Sequence, residues 1–390
     1  MVRICMVAYT DYAYDSRVRR EAESLVDRGD TVDVIALRKR GEDRVRILQG
    51  VRVIQPLMGR YRGGSASMYL VNYCLFFVVA SVWLALLHLK NPYQVIQVHT
   101  MPDFMVFVAM IPKLLGAKIL LDVHDLVPEL YQSKFGLRGS HWLVRLVKRV
   151  ERWSIAFADR AIAVHEPHLR ALIQHGNPAE KFAILLNLPD PKIFTRGAHR
   201  AGQSDSSLKL IYHGTVAERH GLETAVRAIA DARQVTTGLR LLIIGEGDGI
   251  PRLIQLLKEL ELTDCVELRS FVPNEELVPA ILEADIGIVP ILLDDFTKYM
   301  LPVKLLEYVA IGIPAICSRT ETIEAYFDDT MVEYFPPGDI NELARHIELL
   351  SRNPDRRRSL RVNADRFNQA HNWGKEKSFY FQLIDDLIRE

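Results

Sequence analysis

Residues 208–229, LKLIYHGTVAERHGLETAVRAI, read as an apolar strand, a polar loop with glycines at 214 and 221, and an amphipathic helix. That order opens a βαβ unit, because a parallel strand returns to its sheet only through a crossover, usually helical. The flanks decide what the stretch means. TRGAHRAGQSDSS, residues 195–207, exchanges apolar side chains for small polar ones and reads as a linker. Upstream the same alternation has already run once, with RICMVAY, TVDVIAL, VRVIQP, YQVIQVH and AKILLDVH as strands, SRVRREAESLVDRG as a helix ending at Gly29, and DRAIAV closing the sheet. Downstream it continues through LRLLIIGEG, IPRLIQLLKEL, CVELRS, IGIVPI, PAICS and MVEYF. The expected fold class is therefore α/β, with Rossmann-like domains at 1–195 and 208–372 on either side of a linker at 196–207. The last segment, 373–390, is helical in pattern and is expected to pack back toward the first domain. Two such open sheets are expected to face each other across a cleft, with ligands at the carboxyl ends of their strands.

Length and composition agree. A chain of 390 residues is long for one domain and short for three, and 49% apolar with 25% charged residues excludes disordered and collagen-like classes. Cys5, Cys74, Cys265 and Cys317 are far apart and form no C-x-x-C pair, which excludes a disulfide framework or thiolate zinc site and points to a reducing cytosol. The opening MVRICMVAYTDY is too short an apolar run for a signal peptide. Net charge is zero, yet residues 1–190 hold 25 Lys and Arg against 18 Asp and Glu, while the remainder is acidic by the same margin. No stripe of aromatics interleaved with arginine accompanies the basic half, so nucleic acid is not expected as a partner. A basic face toward an anionic membrane is.

Several motifs carry candidate chemistry. IIGEGDGI fails the dinucleotide fingerprint because its last glycine position is Ile250; Gly245 and Gly247 permit either close approach of a ligand or a tight turn. The loop holding Arg219 and His220 before Gly221 suits a diphosphate, since helix amino ends and guanidinium groups both bind phosphate; the plain alternative is a solvated arginine. In LPVKLLEYVAIGIPAICS, Lys304 and Glu307 share a helix face, either answering an anionic ligand or forming an ordinary surface pair. LLDVHDLVPEL places Asp122, His124, Asp125 and Glu129 at a strand's carboxyl end, where acid–base chemistry usually sits. Neither their spacing nor that of His165 and His168 matches a zinc motif, and no metal is expected.

Between Ser65 and Leu89 there is no charged residue, long enough by count to cross a membrane. Because it lies between two strands of one unit, a buried helix is the first reading, insertion into one face of a bilayer the second, and a true span the third. LRGSHWLVRLVKRVERW combines Arg138, Arg145, Lys148, Arg149 and Arg152 with Trp142 and Trp153, which suits a basic amphipathic surface helix or a merely solvated one.

Taken in order, the pieces resemble a retaining glycosyltransferase of the GT-B fold, similar to glycosyltransferase family 4. DSRVRREAESLVDRGDTVDVIAL, VIQVHT, DVHDLVPE and HEPHLRALIQHGNPAEKFAILLNLPDPKIF carry the resemblance in the first half; the loop with Arg219, IIGEG, FVPNEELVPAILEADIGIVP and KLLEYVAIGIPAI carry it in the second. The resemblance implies that the second domain binds a UDP- or GDP-linked sugar, with no further cofactor and no metal, and the first binds a lipid-linked or polysaccharide acceptor. It assigns the diphosphate to Arg219 with Lys304 as helper, the ribose to Glu307, and the surroundings of the nucleotide to Gly214, Gly245, Phe271 and Leu305. His124 matches a histidine that approaches the donor sugar, so His124, Arg219 and Glu307 are the expected catalytic set. The sequence departs from the family pattern at Tyr299, where the first glutamate of E-x7-E would stand, at Thr215 and His220, where many members carry Arg and Lys, and at residues 10–14, where a glycine pair is absent. The changes at 215, 220 and 299 keep open a non-catalytic nucleotide-binding or scaffold protein, and a sugar-nucleotide epimerase on the same fold is a further alternative. The expected location is cytoplasmic, peripheral on the inner membrane face.

Overall fold

Strands form where Val, Ile and Leu run nearly without interruption, as parallel sheets covered on both faces require. In a computed structural model, which describes residues 1–59, 66–196 and 208–389, the chain divides into two compact units. One comprises Met1–Asn187 with Gly374–Glu390, the other Leu188–Trp373. The division falls at Asn187, before residue 195, since Leu188 and Phe194 are buried in the second unit. Apart from Arg196, the expected linker lies outside the described residues.

The first unit runs β1 (Arg3–Val7), α1 (Ser16–Asp27), β2 (Thr31–Arg38), β3 (Val45–Leu48), β4 (Val51–Met58), α2 (Ala66–Lys90), β5 (Val95–His99), a 3-10 segment (Asp103–Ala109), α3 (Met110–Leu114), β6 (Lys118–Val123), α4 (Val127–Phe135), α5 (Trp142–Phe157), β7 (Arg160–Ala163), α6 (Glu166–Gln174) and β8 (Phe182–Ile184). Its sheet has the order β3-β4-β2-β1-β5-β6-β7-β8, parallel except for the β3–β4 hairpin. DRAIAV, β7, therefore does not close the sheet; β8 pairs beyond it, with Ala161 opposite Phe182. The order reverses between β1 and β5, the place where open sheets take ligands. The Asp15 side chain accepts from Val18 N and caps α1, which aims Arg17 of its first turn toward this reversal.

The segment 65–89 is not the buried helix first expected. α2 packs inward through Phe76, Ala80 and Leu84, but only 22% of Met68–Lys90 is buried. It is a helix long and apolar enough to cross a membrane, yet both strands flanking it belong to one sheet.

The second unit runs β9 (Lys209–His213), α7 (Leu222–Ala232), β10 (Arg240–Ile244), α8 (Ile250–Glu259), β11 (Val266–Arg269), α9 (Asn274–Leu282), β12 (Ile286–Val289), α10 (Val303–Ile311), β13 (Ala315–Ser318), α11 (Glu321–Glu324), β14 (Glu333–Phe335), α12 (Ile340–Arg352) and α13 (Pro354–Ala370). All pairings are parallel, in the order β11-β10-β9-β12-β13-β14. Reversal here falls between β9 and β12. A core cluster joins Tyr212, Ile288 and Phe335 of the sheet to Val226, Ile229, Leu256, Leu343 and Ile347 of α7, α8 and α12.

The final helix, α14 (Trp373–Arg389), belongs to the first unit from Gly374 onward. Tyr380 donates its hydroxyl to Gln97 Oε1 of β5, and Arg28 donates to Phe381 O at 3.1 Å and Asp385 at 2.9 Å. Ile384 and Leu387 are buried, each contributing roughly 1.5–3 kcal/mol of apolar burial.

Candidate active site

In the second unit the loops after β9 and β10 lie backbone against backbone. Gly214 N donates to Ile244 O, Val216 N to Glu246 O and Gly249 N to Val216 O, at 2.9 to 3.0 Å. A Cβ on Gly245 would sit 1.9 Å from Gly214 O. The close approach that Gly245 permits is therefore that of the neighbouring loop, not of a ligand. Gly221 adopts φ +66 at the amino end of α7, and a Cβ there would lie 1.8 Å from Pro290 O. Glycine is thus the residue that lets this helix begin beside the end of β12. No side chain caps α7, so its first N–H groups face the loop carrying Arg219.

Two cations meet at this place. Lys304, in the first turn of α10, reaches back to β9: its Nζ donates to Tyr212 Oη at 3.1 Å and stands 4.3 Å from that ring's centroid. Burial pulls the Lys304 ammonium down to about 8, with Glu307 opposing. Arg219 lies with its guanidinium 5.9 Å from the Phe296 ring, and its Nε is buried without a hydrogen-bond partner. Among the described residues, neither cation has a carboxylate within ion-pair distance. Both press on His220, which burial, Lys304 and Arg219 together hold down to about 3. His220 is therefore a neutral imidazole where a third cation would be repelled.

Glu307, one turn beyond Lys304, is buried, and burial pushes it up to about 7 against the pull of Lys304. His213 Nε2 lies 3.3 Å from Glu307 Oε2, at ion-pair distance but without hydrogen-bond geometry. No ion pair forms there, because burial and Lys304 keep His213 neutral down to about 3. Tyr308 donates to Ile211 O at 3.1 Å and packs edge-on against His213, which fixes the helix that carries Lys304 and Glu307.

The expected residues divide accordingly. Arg219, Lys304 and Glu307 are brought to the carboxyl end of β9, with Gly214 against the Lys304 side chain: a Cβ on Gly214 would meet Lys304 Cε at 3.4 Å. Leu305 is withdrawn from it; its side chain is fully buried and its N–H donates to Pro302 O. Phe271 is half exposed in the loop after β11. Tyr299 ends a 3-10 turn, Thr297–Tyr299, on the loop that Leu292 N ties to Arg219 O. Tyr212 and His213 were missed, although two polar-tipped aromatics at the end of an apolar strand, just before a glycine, were the available signal.

The first unit builds a different arrangement. Asp122, last but one in β6, is fully buried and accepts from Arg17 through two bonds, Nε to Oδ2 at 2.8 Å and Nη2 to Oδ1. His99 Nδ1 and His124 Nε2 lie 3.0 and 3.1 Å from Asp122 Oδ2 and 3.2 Å from each other. Thr100 Oγ1 accepts from His124 N, fixing the backbone. Burial would raise Asp122, but Arg17, then His124, hold it well below the ordinary carboxylate range. Burial would lower His99, and the Asp122 hydrogen bond and charge overcome it. Asp122 and His124 were grouped by the sequence, but it gave no hint that His99 joins them; the donor atoms of the three all lie within 4.8 Å. A dication there would face the guanidinium already bonded to Asp122, so the set suits proton handling better than metal binding.

Glu129 leaves this group. It accepts from His175 Nε2 at 3.0 Å, while Glu151 holds His175 Nδ1 at 2.9 Å, which locks α4 and α5 to the end of α6. His165 and His168 are helix-capping groups: His168 N donates to His165 Nδ1 at the start of α6.

Both halves match glycosyltransferase domain models, residues 14–187 the glycosyl transferase 4-like domain and residues 198–367 the glycosyl transferases group 1 domain. The chain thus belongs to the glycosyltransferases that join these two domains, of GT-B type. Among relatives, it is 30% identical over 182 residues to the amylovoran biosynthesis glycosyltransferase AmsK of Erwinia amylovora, covering 46% of this chain and 44% of that one. It is 28% identical over 182 residues to the putative colanic acid biosynthesis glycosyltransferase WcaL of Escherichia coli, covering 45% and 43%. The matched region thus spans less than half the length of these relatives. In fold it is similar to sucrose-phosphate synthase from Thermosynechococcus elongatus, with a TM-score of 0.83, 21% identity and full coverage of both chains. It is also similar to HepE of Anabaena in complex with UDP-glucose, with a TM-score of 0.74, 14% identity and coverage of 99% and 100%.

Proposed function

We propose that this protein moves a glycosyl group from a UDP- or GDP-linked sugar to a lipid-linked or polysaccharide acceptor, with retention of configuration and without a metal. The observation that carries the reading is the pair Arg219 and Lys304 at the β9–β12 reversal, two cations with no carboxylate partner among the described residues, beside an uncapped helix start. A diphosphate satisfies all of these groups at once, and fixed cations that stabilise the departing diphosphate supply much of the catalysis. Glu307 accepts from the ribose hydroxyls. In the first unit His124 is the group offered to the reaction: its Nε2 faces Asp122, so the Nδ1 edge is the one presented. Attack on the face the diphosphate leaves, with that diphosphate helping to take the acceptor proton, gives retention. AmsK and WcaL, named for exopolysaccharide biosynthesis, and HepE, solved with UDP-glucose, support the acceptor and donor classes. Such an acceptor places the protein in the cytoplasm at the inner membrane face.

The test supplies the full chain with UDP- and GDP-sugars and a bacterial lipid extract. Nucleotide released only when acceptor is present supports transfer. Conversion of the nucleotide sugar into its epimer without acceptor, and with no net release of nucleotide, indicates an epimerase. A folded protein releasing nucleotide from no donor overturns the reading.

A further inference from the structure

α2 carries a stripe that none of the described residues of the first unit covers. Val71, Leu75, Val78, Val82, Leu86 and Leu89 recur at three- and four-residue intervals, which places them on one face, and they are 49 to 65% exposed. The helix is about 37 Å long, far beyond the scattered apolar exposure of ordinary surfaces. The surface continues through the neighbouring elements. Phe77 of α2 packs on Phe104, and Phe107 of the same 3-10 segment packs on Phe157 of α5. At the end of that segment α3 exposes Met110, Ile111 and Leu114, while its one charge, Lys113, is turned away to Phe157 O and Asp159.

α5 gives the surface its charge. Trp142, Arg145, Leu146, Arg149, Arg152 and Trp153 form its exposed face. Its one acid, Glu151, is buried and held by His175 and Asn177, so no carboxylate of the helix offsets the arginines. A helix with tryptophans and arginines along its outer face, near an apolar helix without a charged residue before its terminal Lys90, matches the layers of a bilayer: tryptophan at the interface, guanidinium among headgroups, aliphatic side chains at the acyl boundary. A second copy of the chain is a poorer fit, since a symmetric pairing would set arginine against arginine. Crossing the bilayer is excluded by β4 and β5, which hold both ends of α2 in one sheet.

We propose that the first unit docks on an anionic lipid bilayer through this surface, α2 lying in the interface plane and the arginines of α5 selecting negatively charged headgroups. It rests on the functional reading for its purpose, reaching a lipid-linked acceptor, but its test needs no catalysis.

The full chain is mixed with phosphatidylcholine vesicles, with or without phosphatidylglycerol, and floated through a density gradient. Wild type should float with the anionic vesicles and far less with the neutral ones. The exposed pair Val78→Glu with Leu86→Glu should abolish flotation. Arg145→Glu, Arg149→Glu and Arg152→Glu together should weaken it roughly a hundredfold or more and remove its salt dependence. Circular dichroism checks that each variant is folded. Wild type that fails to float with anionic vesicles, or floats equally with both kinds, overturns the proposal. So does a concentration-dependent dimer, lost in the Val78→Glu, Leu86→Glu pair, in protein that ignores vesicles; a second copy then covers the face. Donor binding measured on the same samples separates the two readings: flotation without donor binding removes the transferase reading alone, and donor binding without flotation removes the docking surface alone.

Discussion

The two sheet reversals of this protein treat buried charge in opposite ways. In the first unit, the carboxylate at the end of β6 is met on every side by the protein itself: Arg17 grips Asp122 through two bonds while His99 and His124 share its other edge. In the second, Lys304 and Arg219 are held at the end of β9 beside aromatic rings and neutral imidazoles, with Glu307 near Lys304 but no carboxylate within ion-pair distance of either among the described residues. The first arrangement pairs its charges and fixes a histidine; the second leaves its two cations without an ion-pair partner among the described residues, and the proposed diphosphate would be that partner. A buried charge is costly until paired, which is why the proposed function puts the anionic ligand at the unpaired site.

The sharpest way to break this contrast is to make the first site incomplete too. Asp122→Ala leaves Arg17 buried with only Glu21, 3.2 Å away, as compensation, and chemical denaturation should register a loss of about 3–5 kcal/mol. If stability is unchanged, the network does not hold the first unit together. Next comes Arg219→Ala, which should lower donor turnover roughly 10²–10³-fold with little effect on the melting temperature of the unliganded protein, since among the described residues it gives up no ion pair and only a distant approach to the Phe296 ring.

Two pH effects follow, and both lower stability as pH rises, one by losing a favourable charge and the other by forming an unfavourable one. His175 is raised to about 9 because two glutamates outweigh its burial, so its contribution to stability is full below pH 6.5 and fades as pH rises through 9. Thermal melts of His175→Gln should lack that decline. Glu307 is raised by burial to about 7, so its ionisation costs stability increasingly between pH 4.5 and 7. Glu307→Gln should therefore melt higher than wild type at pH 8 and equally at pH 4, while binding donor more weakly where the carboxylate is charged. The smallest effect belongs to Tyr380→Phe, which removes one hydroxyl from Gln97 and should cost about 1 kcal/mol.

Most strands were legible because parallel strands are continuous apolar runs and end in polar turns. β8 was not: Phe182–Ile184 is three half-buried residues merged into KFAILLN, with no turn to set it apart. The β3–β4 hairpin was half seen, since the exposed, charged β3 lacks a buried face. The orientation of α2 could not be read at all, for a helix apolar on every side carries no periodicity to say which side is covered. In the candidate site, Arg219 was legible because it follows a strand end and Gly214, and Lys304 and Glu307 because Pro302 opens the helix that carries them. His99 and Arg17 were not, because parallel pairing sets His99 opposite Asp122 and the first turn of α1 brings Arg17 across 105 positions of sequence.

The central claim, that the unpaired cations of the second unit hold a nucleoside diphosphate, is tested most directly by calorimetric titration of UDP and GDP into wild type, Arg219→Ala and Lys304→Ala. Binding of one nucleotide to wild type, lost in Arg219→Ala and weakened in Lys304→Ala with all three proteins folded, is the predicted result. Equal affinity in all three, or no binding of either nucleotide to wild type, would contradict it.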